Sequence, residues 1–196
     1  LVDPGVRLSL STAYRILHRE GLSSRKAAAI TDRRRYEAEF PNDIWQSDVM
    51  HGPAVNVGGR RRKAYLIAFL DDHSRLIPYG GFYLSERLAS WLDAFRQALI
   101  TRGVPRKLYV DNGAAFRSRH LERVCASLGL ALVHTPPYTP QGRGKVERFF
   151  RTVRSRFLPT FQSWTLDELN SRFTLWLEQD YQHKTHSSTG ESPFNR

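Results

Sequence analysis

A run of seven largely apolar residues, AYLIAFL at positions 64–70, constrains the fold of this chain more than any other segment. A strand with one face in solvent alternates polar and apolar residues, whereas a strand covered on both faces is apolar throughout. The run therefore predicts a central strand with other elements packed on both sides of its sheet. Residues 44–57 are also rich in β-forming residues, and Gly58-Gly59 between the two segments favours a hairpin turn.

The following segments alternate between strand and helix patterns. The stretch RLIPYGGFYL, residues 75–84, predicts an edge or bulged strand because it contains Pro78 and two glycines. Ser85 is placed to cap a helix, KLYVD and ALVHT predict short strands on either side of a helix over 119–128, and Thr165 opens a last helix with a capping box. An initial hairpin followed by alternating strands and helices predicts an α/β fold with a mixed sheet between helices.

The first forty residues have a different character. Residues 9–22 predict one short helix, capped by Ser11 or Thr12 and stopped at Gly21. This helix resembles the second helix of a helix-turn-helix, and it equally fits a terminal helix packed on the main domain. Residues 23–40 are charged and predict a basic linker. The predicted organisation is a partial helix-turn-helix over 1–22, the linker over 23–40 and a core domain over 41–196.

Composition favours an anionic partner and an intracellular location. The formal net charge is +11 and the isoelectric point is about 10.3, values that nucleic-acid-binding proteins share with ribosomal and membrane-surface proteins. The lone cysteine, Cys125, excludes an internal disulfide and lies in an apolar helical pattern that predicts burial. No apolar run is long enough to span a bilayer and no signal peptide opens the chain, so we expect a soluble cytoplasmic protein.

Three carboxylates are notable for their positions. Asp48 lies in the first predicted strand, and Asp111 ends KLYVD, beyond which active groups gather in open α/β sheets. Glu147 is the single acidic residue between Glu122 and Asp167, at the start of a basic helix that follows a loop rich in proline and glycine. Two plainer explanations exist for Glu147: an acid suits the first turn of a helix, and a surface ion pair with Arg151 would contribute at most about 0.5 kcal/mol.

The spacing of these acids resembles that of a known superfamily. Residues 49–110, 62 in number, separate Asp48 from Asp111, and residues 112–146, 35 in number, separate Asp111 from Glu147. Together with the stretches WQSD at 45–48, DNGAAF at 111–116 and PQGRGKVER at 140–148, this pattern is similar to the catalytic cores of retroviral integrases and bacterial insertion-sequence transposases. The segments 71–75 and 181–193 resemble further family stretches. The resemblance runs from about residue 40 to the C-terminus.

The resemblance implies an RNase-H-like fold: a mixed five-stranded sheet, its first three strands antiparallel, with helices on both faces. It implies that Asp48, Asp111 and Glu147 are catalytic and together hold Mg²⁺ or Mn²⁺, as two ions. Three carboxylates gathered within about 5 Å would repel by roughly 3 kcal/mol per pair at an effective dielectric constant near 20, so such a cluster requires cations. Hard divalent ions with oxygen ligands satisfy that requirement and can clamp a phosphodiester.

The implied reaction is cleavage of DNA at the ends of a mobile element, followed by transfer of the 3′-hydroxyl into target DNA. Double-stranded DNA is the implied partner, held by a homodimer or higher oligomer in the bacterial cytoplasm at the nucleoid, with no membrane partner. The predicted DNA contacts surround the third acid: Gln141, Arg143, Lys145, Arg148, Arg151 and Arg154.

Several alternatives remain open at the level of sequence. Asp71 and Asp72 favour a role in a turn over support of the metal-binding acids, and His134 is predicted at most to line the cleft. The chain lacks the His/Cys zinc module of retroviral integrases and is closer to the insertion-sequence branch. A DNA-binding protein that has lost catalysis and a nuclease that hydrolyses without joining are the competing functions.

Overall fold

Two units make up the chain, Leu1–Tyr36 and Glu37–Arg196. The structure is a computed structural model that describes residues 9–20, 37–113, 116–135, 144–162 and 164–196. In the first unit, helix α1 (Leu10–Arg19) begins after Ser9, whose Oγ accepts a hydrogen bond from the Thr12 N–H at 3.2 Å. The predicted helix is confirmed, but the cap is Ser9 rather than Ser11 or Thr12. The predicted stop at Gly21 and most of the predicted linker lie outside the described residues.

The second unit contains the predicted strands and helices in the predicted order. The strands are β1 (Ile44–Val57), β2 (Arg60–Asp71), β3 (Tyr79–Tyr83), β4 (Lys107–Val110) and β5 (Ala131–His134). The helices are α2 (Leu88–Arg102), α3 (Arg119–Ser127), α4 (Gly144–Thr152) and α5 (Leu166–Trp176). Helix α4 continues into a π-helical turn, Val153–Phe157, and α5 into another, Leu177–Tyr181.

The five strands form one mixed sheet in the order β3-β2-β1-β4-β5. β1 pairs with β2 and β2 with β3 in antiparallel fashion, while β1 pairs with β4 and β4 with β5 in parallel. The predicted topology is thus confirmed, including the edge position of the strand with two glycines. Gly58 and Gly59 turn the β1–β2 hairpin with φ of +54° and +77°, a conformation that glycine adopts without strain.

Both faces of the sheet are covered, as the apolar run in β2 predicts. Leu66, Ala68 and Leu70 lie on the face covered by α4 and α5, which we call the α4 face. Ile67 and Phe69 lie on the opposite face, called the α2 face, which is covered by α2 and α3. All five side chains are at most 1% exposed. The sheet is therefore the middle of three layers, with a separate apolar core on each side.

The helix boundaries agree with the sequence in most places. Thr165 and Glu168 form the predicted capping box of α5, and Gly129, at φ +68°, follows the end of α3. Cys125 is buried in the α2-face core, as predicted. The prediction for α2 is wrong in detail: the cap residue is Arg87, and the Ser85 Oγ accepts the Arg87 N–H before the helix begins. Among the described residues, no helix has the length and apolar character needed to cross a bilayer.

Candidate active site

Strand register brings Asp48 and Asp111 to corresponding positions. β1 and β4 are parallel, and their last paired residues are Gln46 and Tyr109. Extending this register by two residues on each strand places Asp48 opposite Asp111. The two acids are 62 residues apart in sequence, so their alignment is a product of the sheet topology.

Both acids belong to the same face of the sheet. Asp48 pairs across the hairpin with Ala68, a residue of the α4-face core. In β4, Leu108 and Val110 belong to the α2-face core, so strand alternation assigns Asp111 to the α4 face. This alternation puts two carboxylates on the face that α4 covers.

Short hydrogen bonds fix the local backbone of each acid. Asp48 Oδ1 accepts the N–H of Val49 at 2.8 Å, and Asp111 Oδ1 accepts the N–H of Gly113 at 2.7 Å. A Cβ atom at position 113 would lie 2.8 Å from Asp111 Oδ1, so a side chain there would displace the Asp111 carboxylate from this position. His134 Nδ1 lies 3.3 Å from the backbone oxygen of Asp111. Both carboxylates are half-buried and so retain access to solvent.

Glu147 lies on α4, the helix that packs on the same face of the sheet. Helix α4 buries Val146, Phe149 and Phe150 against the α4 face, while the Glu147 side chain is exposed. The prediction that Glu147 does not face the core is confirmed. In the described residues, Glu147 forms no ion pair with Arg151, so the ion-pair explanation of this acid has no support in the structure.

The donor chemistry of these acids fits a hard divalent cation, since carboxylate oxygens are its preferred ligands. The described ranges nevertheless contain no group of three or more His, Cys, Asp or Glu side chains placed to hold a metal ion. The register aligns two acids, and the third lies on the overlying helix without joining them in one cluster.

The rival acids, Asp71 and Asp72, are buried and saturated with donors. Both are 2% exposed. Asp71 accepts hydrogen bonds from the Asn42 N–H at 2.7 Å and from the Ser74 N–H and Oγ at 2.8 Å. Asp72 accepts from the Ala38 N–H at 2.8 Å and from Gln46 Nε2 at 2.7 Å. The bonds from Ser74 support the predicted turn role for Asp71, whereas Asp72 bonds residues that are distant in sequence and connects separate segments of the chain.

Lys145 completes the surroundings of Asp72. Its Nζ lies 2.5 Å from Asp72 Oδ2 and 3.1 Å from the Asp72 backbone oxygen, and its side chain is only 17% exposed. Burial lowers the pKa of Lys145, and the bond to Asp72 opposes that shift. The ammonium group predicted to contact DNA is therefore bound to a buried carboxylate.

A second buried group follows in the same turn. Arg75 has φ of +70°, in the left-handed region, and its side chain donates to the His73 backbone oxygen at 2.9 Å and to Glu37 at 3.0 Å. Arg196 also binds Glu37. Burial would raise the pKa of Glu37, but the charges of Arg75 and then Arg196 outweigh it and hold that pKa below its usual value.

The remaining predicted DNA contacts fall into two groups. Arg148, Arg151 and Arg154 are exposed, on the same helical segment as Glu147. Gln141 and Arg143 lie outside the described residues. Sequence reasoning missed Gln46 and Glu37, although the position of Gln46 two residues before Asp48 on one strand face was a usable signal.

Comparison with known proteins adds information about ancestry. Two family models, each described as an integrase core domain, match residues 38–140 and 128–193. The transposase for transposon Tn552 from Staphylococcus aureus is 29% identical over 184 residues, which cover 82% of this chain and 38% of that protein. The chain thus spans well under half the length of this relative.

Solved structures support the same fold. The simian T-cell lymphotropic virus intasome, in complex with the PP2A regulatory subunit B56 gamma, contains a chain that superposes with a TM-score of 0.69 at 19% identity, covering 82% of this chain and 55% of that chain. The HTLV-2 integrase catalytic core domain in complex with magnesium superposes with a TM-score of 0.63 at 22% identity, covering 81% and 98%. At such identities the likeness establishes the fold, which is the RNase-H-like fold of integrase cores.

Proposed function

Because the chain belongs to the integrase core domain family, we propose that it is the catalytic core of a DNA transposase. Its reaction is the metal-dependent cleavage of phosphodiester bonds at the ends of a mobile element, followed by joining of the freed 3′-hydroxyl to target DNA. The Tn552 transposase is a relative along 82% of this chain, which favours transposition over viral integration.

The observation that carries this proposal is the alignment of Asp48 with Asp111 on the α4 face. Two half-buried carboxylates on neighbouring parallel strands repel each other unless a cation lies between them. The α4 face carries an apolar core, and packing of that core does not require two acids at these positions. A site for a divalent cation would explain why both acids lie on this face.

The protein's own residues have distinct parts in the proposed reaction. Asp48 and Asp111 would hold Mg²⁺ or Mn²⁺, with Glu147 as a further ligand from α4. When bound, two such ions activate the attacking oxygen and stabilise the leaving oxygen of an in-line displacement. Arg148, Arg151 and Arg154 would bind backbone phosphates and fix the register of the duplex on the protein.

Partners and location follow from the same proposal. The substrates are duplex DNA from element ends and from the target, and the proposed location is the bacterial cytoplasm at the nucleoid. The active assembly is proposed to be a homodimer or larger, because joining two element ends to one target requires at least two active sites. Related viral cores are described in trimeric and dimeric forms and in an intasome.

Substitution of Glu147 tests the proposed function. Glu147→Gln removes the charge and keeps the shape, so Mg²⁺-dependent cleavage and joining of DNA should fall by about 10²-fold or more while DNA affinity remains. Glu122→Gln is the matched control, because Glu122 also lies in the first turn of a nine-residue helix, α3, on the opposite side of the sheet. The control should retain full activity. Unchanged cleavage by Glu147→Gln would contradict the proposal.

A second function, DNA binding without catalysis, is favoured by one observation: in the described part of the chain, no three acidic or histidine side chains form a metal cluster. In that case the unmodified protein would bind DNA and show no cleavage with Mg²⁺ or Mn²⁺. Cleavage of DNA without joining of precut ends would instead identify a nuclease.

A further inference from the structure

Three polar side chains connect the start of α4 to the strand that carries Asp48. Gln46 donates from Nε2 to Asp72 Oδ1 at 2.7 Å and accepts the Val146 N–H on Oε1 at 3.4 Å. Lys145 binds the other oxygen of the same carboxylate. We call Gln46, Asp72 and Lys145 the Asp72 clamp.

The clamp satisfies groups that would otherwise be unpaired. The first N–H groups of a helix have no partner within the helix, and Val146 is the third residue of α4. Gln46 accepts this N–H. The Asp72 side chain is 3% exposed, and a buried carboxylate requires both hydrogen-bond donors and a cation. Ala38, Gln46 and Lys145 supply them from three separate segments of the chain.

On β1 and on α4 alike, a residue of the Asp72 clamp lies two positions before a proposed metal ligand. Gln46 precedes Asp48 by two residues on one face of β1, and Lys145 precedes Glu147 by two residues on α4. Two residues along a helix are rotated by about 200° about its axis, so the Lys145 side chain, which is bound to Asp72, and the exposed Glu147 side chain leave α4 in different directions. The clamp therefore fixes the backbone that carries Glu147 and leaves its side chain unconstrained.

We propose that the Asp72 clamp positions Glu147 relative to Asp48 and Asp111, so that α4 presents its carboxylate at the distance required for shared cation binding. This inference rests on the proposed function. Gln46, Asp72 and Lys145 are positioning residues in this scheme: they touch neither the cation nor DNA, and they act through the placement of α4.

The alternative is an ion pair that stabilises the fold and nothing more, and paired substitutions separate the two. Lys145→Met breaks the clamp and leaves Asp72 buried without its cation, so it should lower both stability and metal affinity. Asp72→Asn together with Lys145→Met removes both charges, so no ion is left buried without its partner and the double variant should be more stable than Lys145→Met. The double variant lacks the tether between α4 and the β2 turn, as the single variant does.

The readouts are Mn²⁺ affinity, measured by isothermal titration calorimetry on the full chain, and thermal unfolding of the same samples. We expect both variants to bind Mn²⁺ about 10- to 100-fold more weakly than the unmodified protein, the range typical when the partners that orient metal ligands are lost. The double variant should unfold at a higher temperature than Lys145→Met. The Mg²⁺ concentration for half-maximal strand joining should rise in parallel.

A matched control lies on the same helical segment. Arg156 binds both carboxylate oxygens of Asp180, at 2.8 and 2.5 Å, in the π-helical turn that continues α4. Arg156→Met with Asp180→Asn removes this pair at the far end of the segment, and Mn²⁺ affinity should not change.

Recovery of Mn²⁺ affinity together with stability in the double variant would overturn the inference, as would an unmodified protein that binds no Mn²⁺. If Lys145→Met fails to fold, the double variant alone decides between the two outcomes. The proposed function fails separately: an unmodified protein that binds Mn²⁺ but never cleaves DNA, and whose clamp variants bind Mn²⁺ more weakly, would contradict catalysis and leave the positioning role in place.

Discussion

Asp48 lies in β1 and Asp72 directly follows β2, the strand paired with β1, yet the two acids differ in their access to solvent. Asp72 is 2% exposed and receives donors from Ala38, Gln46 and Lys145. Asp48 is half-buried and receives the N–H of its own neighbour, Val49. A carboxylate saturated by protein donors holds segments together, whereas one that keeps access to solvent can bind a ligand. The difference separates structural acids from proposed metal ligands within one fold.

The largest effect is expected at the aligned acids. Asp48→Asn or Asp111→Asn should lower Mg²⁺-dependent strand joining by about 10²-fold or more, because each removes one charge from the proposed metal site. Either change should lower the free energy of unfolding by less than Asp72→Ala does, because Asp48 and Asp111 are half-buried whereas Asp72 is 2% exposed. Activity assays and urea unfolding of the same preparations measure both quantities. If Asp48→Asn or Asp111→Asn lowered the free energy of unfolding as much as Asp72→Ala does, the proposed difference between these acids and Asp72 would be contradicted.

For Asp72→Ala the main expected effect is a fall in the free energy of unfolding rather than in strand joining. The substitution leaves the Lys145 ammonium in a largely buried position without its carboxylate, a change that typically costs about 3–5 kcal/mol. Urea unfolding should report this loss directly. Unfolding at the same urea concentration as the unmodified protein would show that the buried acid is not structural.

A smaller effect is expected at the exposed arginines beside Glu147. Replacing Arg148, Arg151 and Arg154 singly by alanine should weaken DNA binding for all sequences alike and reduce the slope of log affinity against log salt by about 1 each. Arg123→Ala on α3 is the control, because α3 covers the opposite face of the sheet and Arg123 is also exposed. Equal losses for Arg123 and the α4 arginines would show that DNA is bound by net charge rather than by this surface.

The smallest effect concerns pH. The pKa of Glu37 is held below its usual value because Arg75 and Arg196 outweigh the effect of burial. Its stabilising contribution is therefore complete above the ordinary glutamate pKa and is lost as pH falls through the depressed value in the folded state. Below about pH 4.5, the urea midpoint of the unmodified protein should fall more steeply than that of Glu37→Gln. Parallel curves would contradict this assignment.

The sheet could be predicted from sequence because its signals are local. The apolar run at 64–70 specifies burial on both faces, and Gly58-Gly59 supplies the positive φ values of the hairpin. The start of α2 could not be predicted in the same way. Ser85 is a good cap residue, but the backbone becomes helical only after Arg87, and the Ser85 side chain instead accepts the Arg87 N–H.

The candidate site was only partly predictable, because its residues are distant from one another in sequence. Spacing and family resemblance predicted Asp48, Asp111 and Glu147 as the site residues, and strand register aligns the first two. The role of Lys145 could not be read from sequence, because its partner, Asp72, lies 73 residues away and approaches only when α4 packs on the sheet. A basic residue in a basic helix predicts DNA contact until that partner is known.

The most direct measurement is anomalous diffraction from crystals of the protein soaked in Mn²⁺. The account predicts an anomalous peak between the carboxylates of Asp48 and Asp111, with Glu147 as an additional ligand, and loss of that peak in Asp48→Asn. A protein that shows no peak at this position, or one whose Mn²⁺ lies elsewhere and persists in Asp48→Asn, would contradict the claim that these acids form the metal site.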